Sequence, residues 1–378
     1  MSVTIVCVVG ARPNFIKMAA IMRSLAADRL FTPHLVHTGQ HYDVALSQVF
    51  FDQLAIPAPD TELSVGAASA AVQTAEIMRR FEPVLEREQP HAVLVVGDVN
   101  TTLACALVAA KFRRREPFAW RGGRRSRPVV VHVEAGLRSF DDDMPEEVNR
   151  RLADAVSDLL FVSEPAGLDH LRREGVPDHK VFFVGNVMID TLYAVREQAA
   201  HSPILEQLGL TPREFALLTL HRPSNVDEPA GLAELLRVLD EEVAAHLPIV
   251  FPIHPRTRAR LTTLDRLRPP RWVLSEPIGY LDFLRLQSEA RLVLTDSGGI
   301  QEETTVLGVP CVTLRENTER PVTVAEGTNV LAGTTRAGIA AAVRSALDAA
   351  RASRTPRLWD GHAAERVVKI LADQFRVR

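Results

Sequence analysis

The stretch Thr295-Asp-Ser-Gly-Gly-Ile-Gln-Glu-Glu303 follows an apolar run, Arg291-Leu-Val-Leu-Thr295, and precedes another, Val309-Pro-Cys-Val-Thr-Leu314. The unit reads strand, glycine turn, helix ending near Gly308, strand. Such a turn leaves backbone N–H groups at a helix N-terminus above a sheet edge, which makes an anion site, most often for phosphate. Ser297 can donate a hydroxyl, and Gly298 and Gly299 allow close approach of a ligand. Glu302 and Glu303, one turn on, are placed to accept from a ribose diol. The competing reading is local: Ser297 caps the helix and the glutamates complement its dipole.

The same alternation extends along the chain. Strands are expected at Val3–Val9, His34–Thr38, Ala92–Val96, Val129–Val133, Leu159–Val162 and Val181–Val184. A second series follows at Phe215–Thr219, Ile249–Ile253, Trp272–Leu274, Leu292–Leu294 and Cys311–Leu314. Wholly apolar strands separated by helices indicate parallel sheets covered on both faces. Two series in 378 residues indicate two doubly wound α/β domains joined near Gly185–Asp190. The arginine-rich segment Lys111–Arg127, with Trp120 and Gly122-Gly123, interrupts this pattern and is expected to be a solvated insertion loop.

With 46% hydrophobic and 24% charged residues and a net charge of −3, the chain gives no reason to expect nucleic acid or an anionic membrane as partner. Cys7, Cys105 and Cys311 lie apart in apolar runs, as reduced packing residues do in a cytoplasmic protein. The apolar start lacks a basic leader and reads as a buried strand, so the expected location is the cytoplasm. His34, His37 and His41 suggest a metal only superficially, because His34 and His37 fall on opposite faces of a strand. No metal is expected.

In open α/β sheets ligands sit beyond the carboxyl ends of strands, where several polar clusters fall. Arg12 and Lys17 flank a helix start behind Gly10, with Pro13 suited to the first helical turn, a natural place to meet a diphosphate. Gln40, His41 and Asp43 are further candidate contacts. Asp98 is either a catalytic carboxylate or the cap of the next helix. Glu134 ends a buried strand and Glu146 follows Pro145, which supplies two carboxylates suited to proton transfer in a desolvated cleft. Glu146 and Glu147 equally suit a first helical turn. His221 and His254 follow strands in the second half, where an imidazole can stabilise a leaving phosphate. Arg315 and Arg320 add cations. No GxGxxG follows any strand, so nicotinamide and flavin have weak support.

The segments GARPNFIK (10–17), HTGQH (37–41), GDVNTT (97–102), HVEAGLRSF (132–140), MPEEVNR (144–150), LTLHR (218–222), TDSGGIQEE (295–303) and RENTERP (315–321) resemble the non-hydrolysing UDP-N-acetylglucosamine 2-epimerases, in the family's order and over nearly the whole chain. The resemblance implies a glycosyltransferase B type α/β fold: two Rossmann-like doubly wound domains facing each other across a cleft. They would be 1–186 with 363–378 on the sugar side, and 187–362 on the nucleotide side. It implies that Asp98, Glu134 and Glu146 are acid–base carboxylates. It further implies that Arg12, Lys17, His221 and Arg320 surround the diphosphate, that Ser297, Gly298 and Gly299 hold phosphate, and that Glu303 meets the ribose. Phe283 and the backbone at Ile278 would meet uracil. The implied reaction is C2 epimerisation of UDP-N-acetylglucosamine by loss and return of UDP through a 2-acetamidoglucal, with no cofactor and with a homodimer as the assembly.

The alternatives are a 2-epimerase of another UDP-N-acetyl sugar such as a 2,3-diacetamido uronic acid, which the SFD-x-x-MPEE version also resembles. A hydrolysing 2-epimerase and a glycosyltransferase of the same architecture complete the set. Val99 replaces the family's usual threonine, and Leu63–Ser69 lacks the arginine that allosteric bacterial members use for an activating second UDP-sugar.

Overall fold

Alternating strands and helices build two separate parallel sheets in the computed structural model, which describes residues 2–40, 50–253, 258, 267, 270–348 and 354–376. The chain divides into two compact units, Met1–Tyr193 with Arg357–Arg378, and Ala194–Pro356.

In the first unit the strands are β1 (Val3–Val9), β2 (Phe31–His37), β3 (Thr61–Glu62), β4 (Ala92–Val96), β5 (Phe118–Trp120), β6 (Gly123–Arg125), β7 (Val129–Ala135), β8 (Leu159–Val162) and β9 (Val181–Phe183). Among the described residues, seven of them form one sheet in the order β3-β2-β1-β4-β7-β8-β9, with every pairing parallel. The reversal between β1 and β4 is the switch point at which doubly wound sheets take ligands. Strands β4, β7 and β8 are buried along their whole length, as expected where helices cover both faces.

Helices α1 (Arg12–Ala27), α2 (Ala70–Glu88), α3 (Asn100–Lys111), α4 (Pro145–Val156), α5 (Pro165–Arg173) and α6 (Val187–Ala200) connect them, and the unit boundary falls within α6. The start of α1 is organised by Asn14, whose Oδ1 accepts from the N–H groups of Gly10 (3.1 Å) and Ala11 (3.2 Å). Helix α3 buries Thr101, Thr102, Ala104, Cys105, Ala106 and Ala109, small side chains that bring its backbone close to the sheet.

The second unit holds β10 (Ala216–Thr219), β11 (Ile249–Pro252), β12 (Trp272–Ser275), β13 (Leu292–Thr295), β14 (Cys311–Thr313) and β15 (Asn329–Leu331). Their order is β12-β11-β10-β13-β14-β15, again with every pairing parallel. Its principal helices are α7 (Pro229–Leu239), α8 (Tyr280–Glu289), α9 (Gly298–Leu307), α10 (Pro321–Ala325) and α11 (Arg336–Asp348). Gly308, at φ 69°, ends α9 in the left-handed conformation that favours glycine.

The chain then returns to the first unit. Trp359 is fully buried, its Nε1 donating to Ser163 O at 2.8 Å. Helix α12 (Ala363–Arg376) buries Ala364, Val367, Val368, Leu371 and Ala372 along one stripe, and packs on α1. The Asp190 carboxylate caps it, accepting from Ala363 N (3.1 Å) and Ala364 N (2.6 Å).

The arginine-rich segment differs from the expected solvated loop. Arg121 and Gly122 both have positive φ, 49° and 73°, the geometry of a two-residue turn that matches strand twist, and they join β5 to β6 as an antiparallel hairpin. Phe118 is buried, and the Arg121 and Arg125 guanidiniums lie 4.7 and 4.5 Å from the Trp120 ring centre. Asp158 anchors the segment by pairing with Arg125 and with Arg127, the latter at 2.9 Å.

Candidate functional site

The carboxyl ends of β1, β4 and β7 lie side by side in the first unit, and β4 and β7 end in residues that turn the chain sharply. Gly97, at φ 72°, closes β4; a Cβ there would sit 3.3 Å from Lys17 Nζ and 3.4 Å from Glu134 Oε2. Lys17, Glu134 and the Gly97 backbone thus form one tight group. Glu134 itself has φ 72°, and the pairing of β7 with β8 shifts register between Val133 and Ala135. A positive φ at a non-glycine residue costs about 1–3 kcal/mol and persists only where the surroundings enforce it. Here the bulge carries the Glu134 carboxylate onto the buried Lys17 ammonium, with which it forms an ion pair.

His132 and Asp154 brace this bulge, and neither stood out in the sequence. His132 Nδ1 meets Asp154 Oδ1 at 2.7 Å and Nε2 meets Gly97 O at 2.8 Å. Burial would lower the imidazole, but the Asp154 charge and both hydrogen bonds outweigh it and hold it above its ordinary value. Asp154 also takes Arg138 (2.7 Å) and the Gly136 N–H (3.1 Å).

Asp98 does not cap the following helix. The N-cap of α3 is Val99, without a side-chain bond, and the Asp98 carboxylate instead meets Arg150 Nη2 at 2.8 Å. Arg150 bridges it to Glu147 (2.5 Å), so two carboxylates share one buried guanidinium. Glu147 also accepts from Ser139 N (2.9 Å) and Phe140 N (3.2 Å), which folds the Ser139–Met144 loop onto α4. Burial would raise the Glu147 carboxyl; these N–H groups and Arg150 more than offset it and hold it below the usual range. Glu146, half-buried, has no ion pair among the described residues. The helix start therefore uses Glu147 structurally.

Gln40 is also committed. Its Oε1 accepts from Thr101 N (3.0 Å) and Oγ1 (2.8 Å), which caps α3 and leaves the amide nitrogen as the group with which it could meet a ligand. His41, Asp43, His254 and Arg256 lie outside the described residues. The Arg12 guanidinium lies 5.7 Å from the Phe50 ring centre.

In the second unit, Asp296 ends β13 fully buried and collects the groups that follow β10. It accepts from His221 N (3.1 Å), Arg222 N (2.9 Å) and Asn225 Nδ2 (3.1 Å), and meets His221 Nδ1 at 2.6 Å. Burial would raise this carboxyl, but His221 and the N–H donors hold it below the usual range. The His221 side chain is 61% exposed, so the ring reaches out of the sheet end from a buried anchor.

Ser297 occupies the N-cap of α9 without a side-chain cap bond, and its N–H is held by Thr295 Oγ1 at 3.0 Å. A Cβ on Gly298 would lie 2.7 Å from Arg320 Cζ and 2.9 Å from Glu319 Oε1. This glycine makes room for a guanidinium beside the helix N-terminus. Arg320 pairs with Glu302 (2.8 Å) and Glu319 (2.6 Å), and Glu319 also takes Arg315 (2.8 Å) and Arg222 (3.2 Å). Glu302 is therefore the partner of Arg320. Three guanidiniums thus stand with Glu302 and Glu319 beside the helix N-terminus, where N–H donors suit an anion.

Glu303 accepts from the Tyr280 hydroxyl at 2.7 Å, and burial pushes its carboxyl up to about 7. Ile278 and Phe283 are half-buried and pack with Ile300 on the core between α8 and α9.

The model of the UDP-N-acetylglucosamine 2-epimerase family matches residues 23–372, most of the chain. The chain belongs to the UDP-N-acetylglucosamine 2-epimerase family. Within that family it is similar to the UDP-N-acetylglucosamine 2-epimerase of Methanocaldococcus jannaschii, 39% identical over 96% of this chain and 97% of the relative. It is nearly as similar to the UDP-2,3-diacetamido-2,3-dideoxy-D-glucuronate 2-epimerase of Pseudomonas aeruginosa, 38% identical over 97% of this chain and 99% of the relative. The crystal structure of the M. jannaschii epimerase in complex with UDP-GlcNAc and UDP matches with a TM-score of 0.89 at 38% identity, covering 98% of this chain and 99% of that one. Epimerase family members thus share both Rossmann-like units and the order in which the chain builds them.

Proposed function

We propose that this 2-epimerase interconverts UDP-N-acetylglucosamine and UDP-N-acetylmannosamine by eliminating UDP to a 2-acetamidoglucal and adding it back. The C2 proton of an N-acetylhexosamine is not acidic, so its loss is coupled to departure of UDP. A base and an acid are needed on opposite faces of C2, with cations for the leaving diphosphate. The observation that carries this reading is the pairing of two chemistries in one chain. The first unit carries Asp98 and Glu134 at its strand ends and Glu146 in the first turn of α4, and the second carries His221, Arg320 and the N-terminus of α9.

In this reading Asp98, Glu134 and Glu146 move protons at C2, and Lys17 holds the Glu134 carboxylate in place. Arg12, Lys17, His221 and Arg320 balance the diphosphate; Ser297 offers its hydroxyl, and Gly298 and Gly299 their N–H groups, to phosphate. Glu303 accepts from the ribose, while Phe283 and Ile278 border the uracil. No cofactor enters the chemistry. We place the enzyme in the cytoplasm as a homodimer that supplies amino sugars for cell-surface polysaccharide. Simple transfer of the sugar to an acceptor does not call for three carboxylates.

A second substrate, a UDP-2,3-diacetamido uronic acid, is favoured by the near-equal likeness to the P. aeruginosa enzyme. Proton NMR with each UDP-sugar in heavy water separates the readings: deuterium enters C2 of the true substrate and both epimers appear. Unlabelled, unconverted UDP-N-acetylglucosamine recovered from folded protein would sink the primary reading. Phosphorus NMR distinguishes retained UDP-sugar from the free UDP of a hydrolysing enzyme.

A further inference from the structure

Asp296 has no role in the acid–base set or the nucleotide contacts, yet it is the most heavily bonded carboxylate at its sheet end. It is fully buried at the end of β13, directly beside β10 at the switch point. Its two oxygens take the main-chain N–H groups of His221 and Arg222, the Asn225 amide and His221 Nδ1. The main-chain bonds fix where the residue stands, and the 2.6 Å bond to Nδ1 fixes how the ring is turned. A carboxylate is acceptor-only, so Nδ1 must carry the hydrogen. The ring nitrogen that remains for a ligand is Nε2, on a side chain that is 61% exposed.

We infer that Asp296 is the positioning residue for His221: it commits Nδ1–H to a buried acceptor and turns Nε2 toward the leaving diphosphate. This rests on the proposed epimerisation and deepens it. When the C1–O bond breaks, its electron pair passes to the β-phosphate oxygen, which takes a proton from Nε2–H of the imidazolium and leaves the neutral ring with its hydrogen on Nδ1. When that oxygen re-forms the bond to C1, the proton returns to Nε2, so the cycle needs no added acid. An amide at position 296 can offer a donor to Nδ1, which places the neutral ring's hydrogen on Nε2 and spoils the exchange. A buried carboxylate that orients an imidazole in this way acts through the ring's tautomer, not through contact with substrate.

The test has two arms on the full-length enzyme. Nitrogen NMR of histidine-labelled protein with UDP, the His221 signals assigned by their loss in His221→Gln, is expected to show hydrogen on Nδ1 in the wild type. Asp296→Asn is expected to lower kcat about 10²-fold with KM changed by less than about threefold. In the His221→Gln background, Asp296→Asn should cost less than about threefold more, because its effect has already been removed. A neutral His221 with hydrogen on Nε2 in the wild type overturns the inference, and so does an equal loss in both backgrounds. The wild-type spectrum decides even if Asp296→Asn does not fold. Absent deuterium incorporation at C2 with Nδ1–H intact would defeat the epimerisation and leave the positioning standing.

Discussion

Tyr280 donates its hydroxyl to Glu303 Oε1 at 2.7 Å inside the second unit, and that carboxyl is pushed up to about 7 by burial. Raised from 4.5, it contributes stability that is fully present below about 4.5 and is lost as pH climbs through about 7. At 1.36 kcal/mol per unit the change is about 3 kcal/mol. Glu303→Gln should therefore flatten the stability profile between pH 5 and 8, read by urea denaturation. Tyr280→Phe removes the hydroxyl that favours the ionised form, so it should cost about 1–2 kcal/mol at pH 8 and less at pH 6.

The Lys17–Glu134 pair separates structure from chemistry. Glu134→Gln leaves the buried ammonium uncompensated and should destabilise by about 3–5 kcal/mol, as well as abolish deuterium incorporation at C2. Lys17→Met should destabilise by a similar amount. The double variant should regain most of the stability and none of the exchange; recovery of exchange would remove Glu134 from the acid–base set.

Arg150 holds Asp98 and Glu147 together, and its loss strands two carboxylates. Arg150→Met is expected to lower stability by about 3–5 kcal/mol at pH 7. Because Glu147 lies below its ordinary value, it contributes stability above about 4.5 that is lost as pH falls through its folded value. Glu147→Gln should weaken the fold at neutral pH and reduce its acid sensitivity, as thermal melts from pH 3 to 7 would reveal.

Gly298→Ala places a methyl against the Arg320 guanidinium and Glu319. Displacement of Arg320 from Glu302 should weaken UDP binding about tenfold, near 1.4 kcal/mol, by calorimetry. Unchanged UDP affinity would show that this arginine does not serve the nucleotide.

The sequence by itself determined the architecture. Runs such as Ala92–Val96 and Leu292–Leu294 are apolar throughout because both faces of a parallel strand are covered, and this alternation carried the two sheets. The turn at Thr295–Glu303 was legible because a glycine pair between strand and helix has few other uses. Edge strands Thr61–Glu62 and Asn329–Leu331, and the hairpin at Phe118–Arg125, were not legible, since two or three residues carry no period. Only the tertiary structure decided which charge each polar residue meets. Asp98 goes to Arg150, Glu302 to Arg320 and Gln40 to the start of α3, whereas Glu146 remains unpaired among the described residues. Asp296 and His132 acquire their importance in the same way, from partners 75 and 22 residues distant. Spacing along a chain fixes which face a side chain occupies. Desolvation obliges each buried charge to find a partner, and that partner is set by packing.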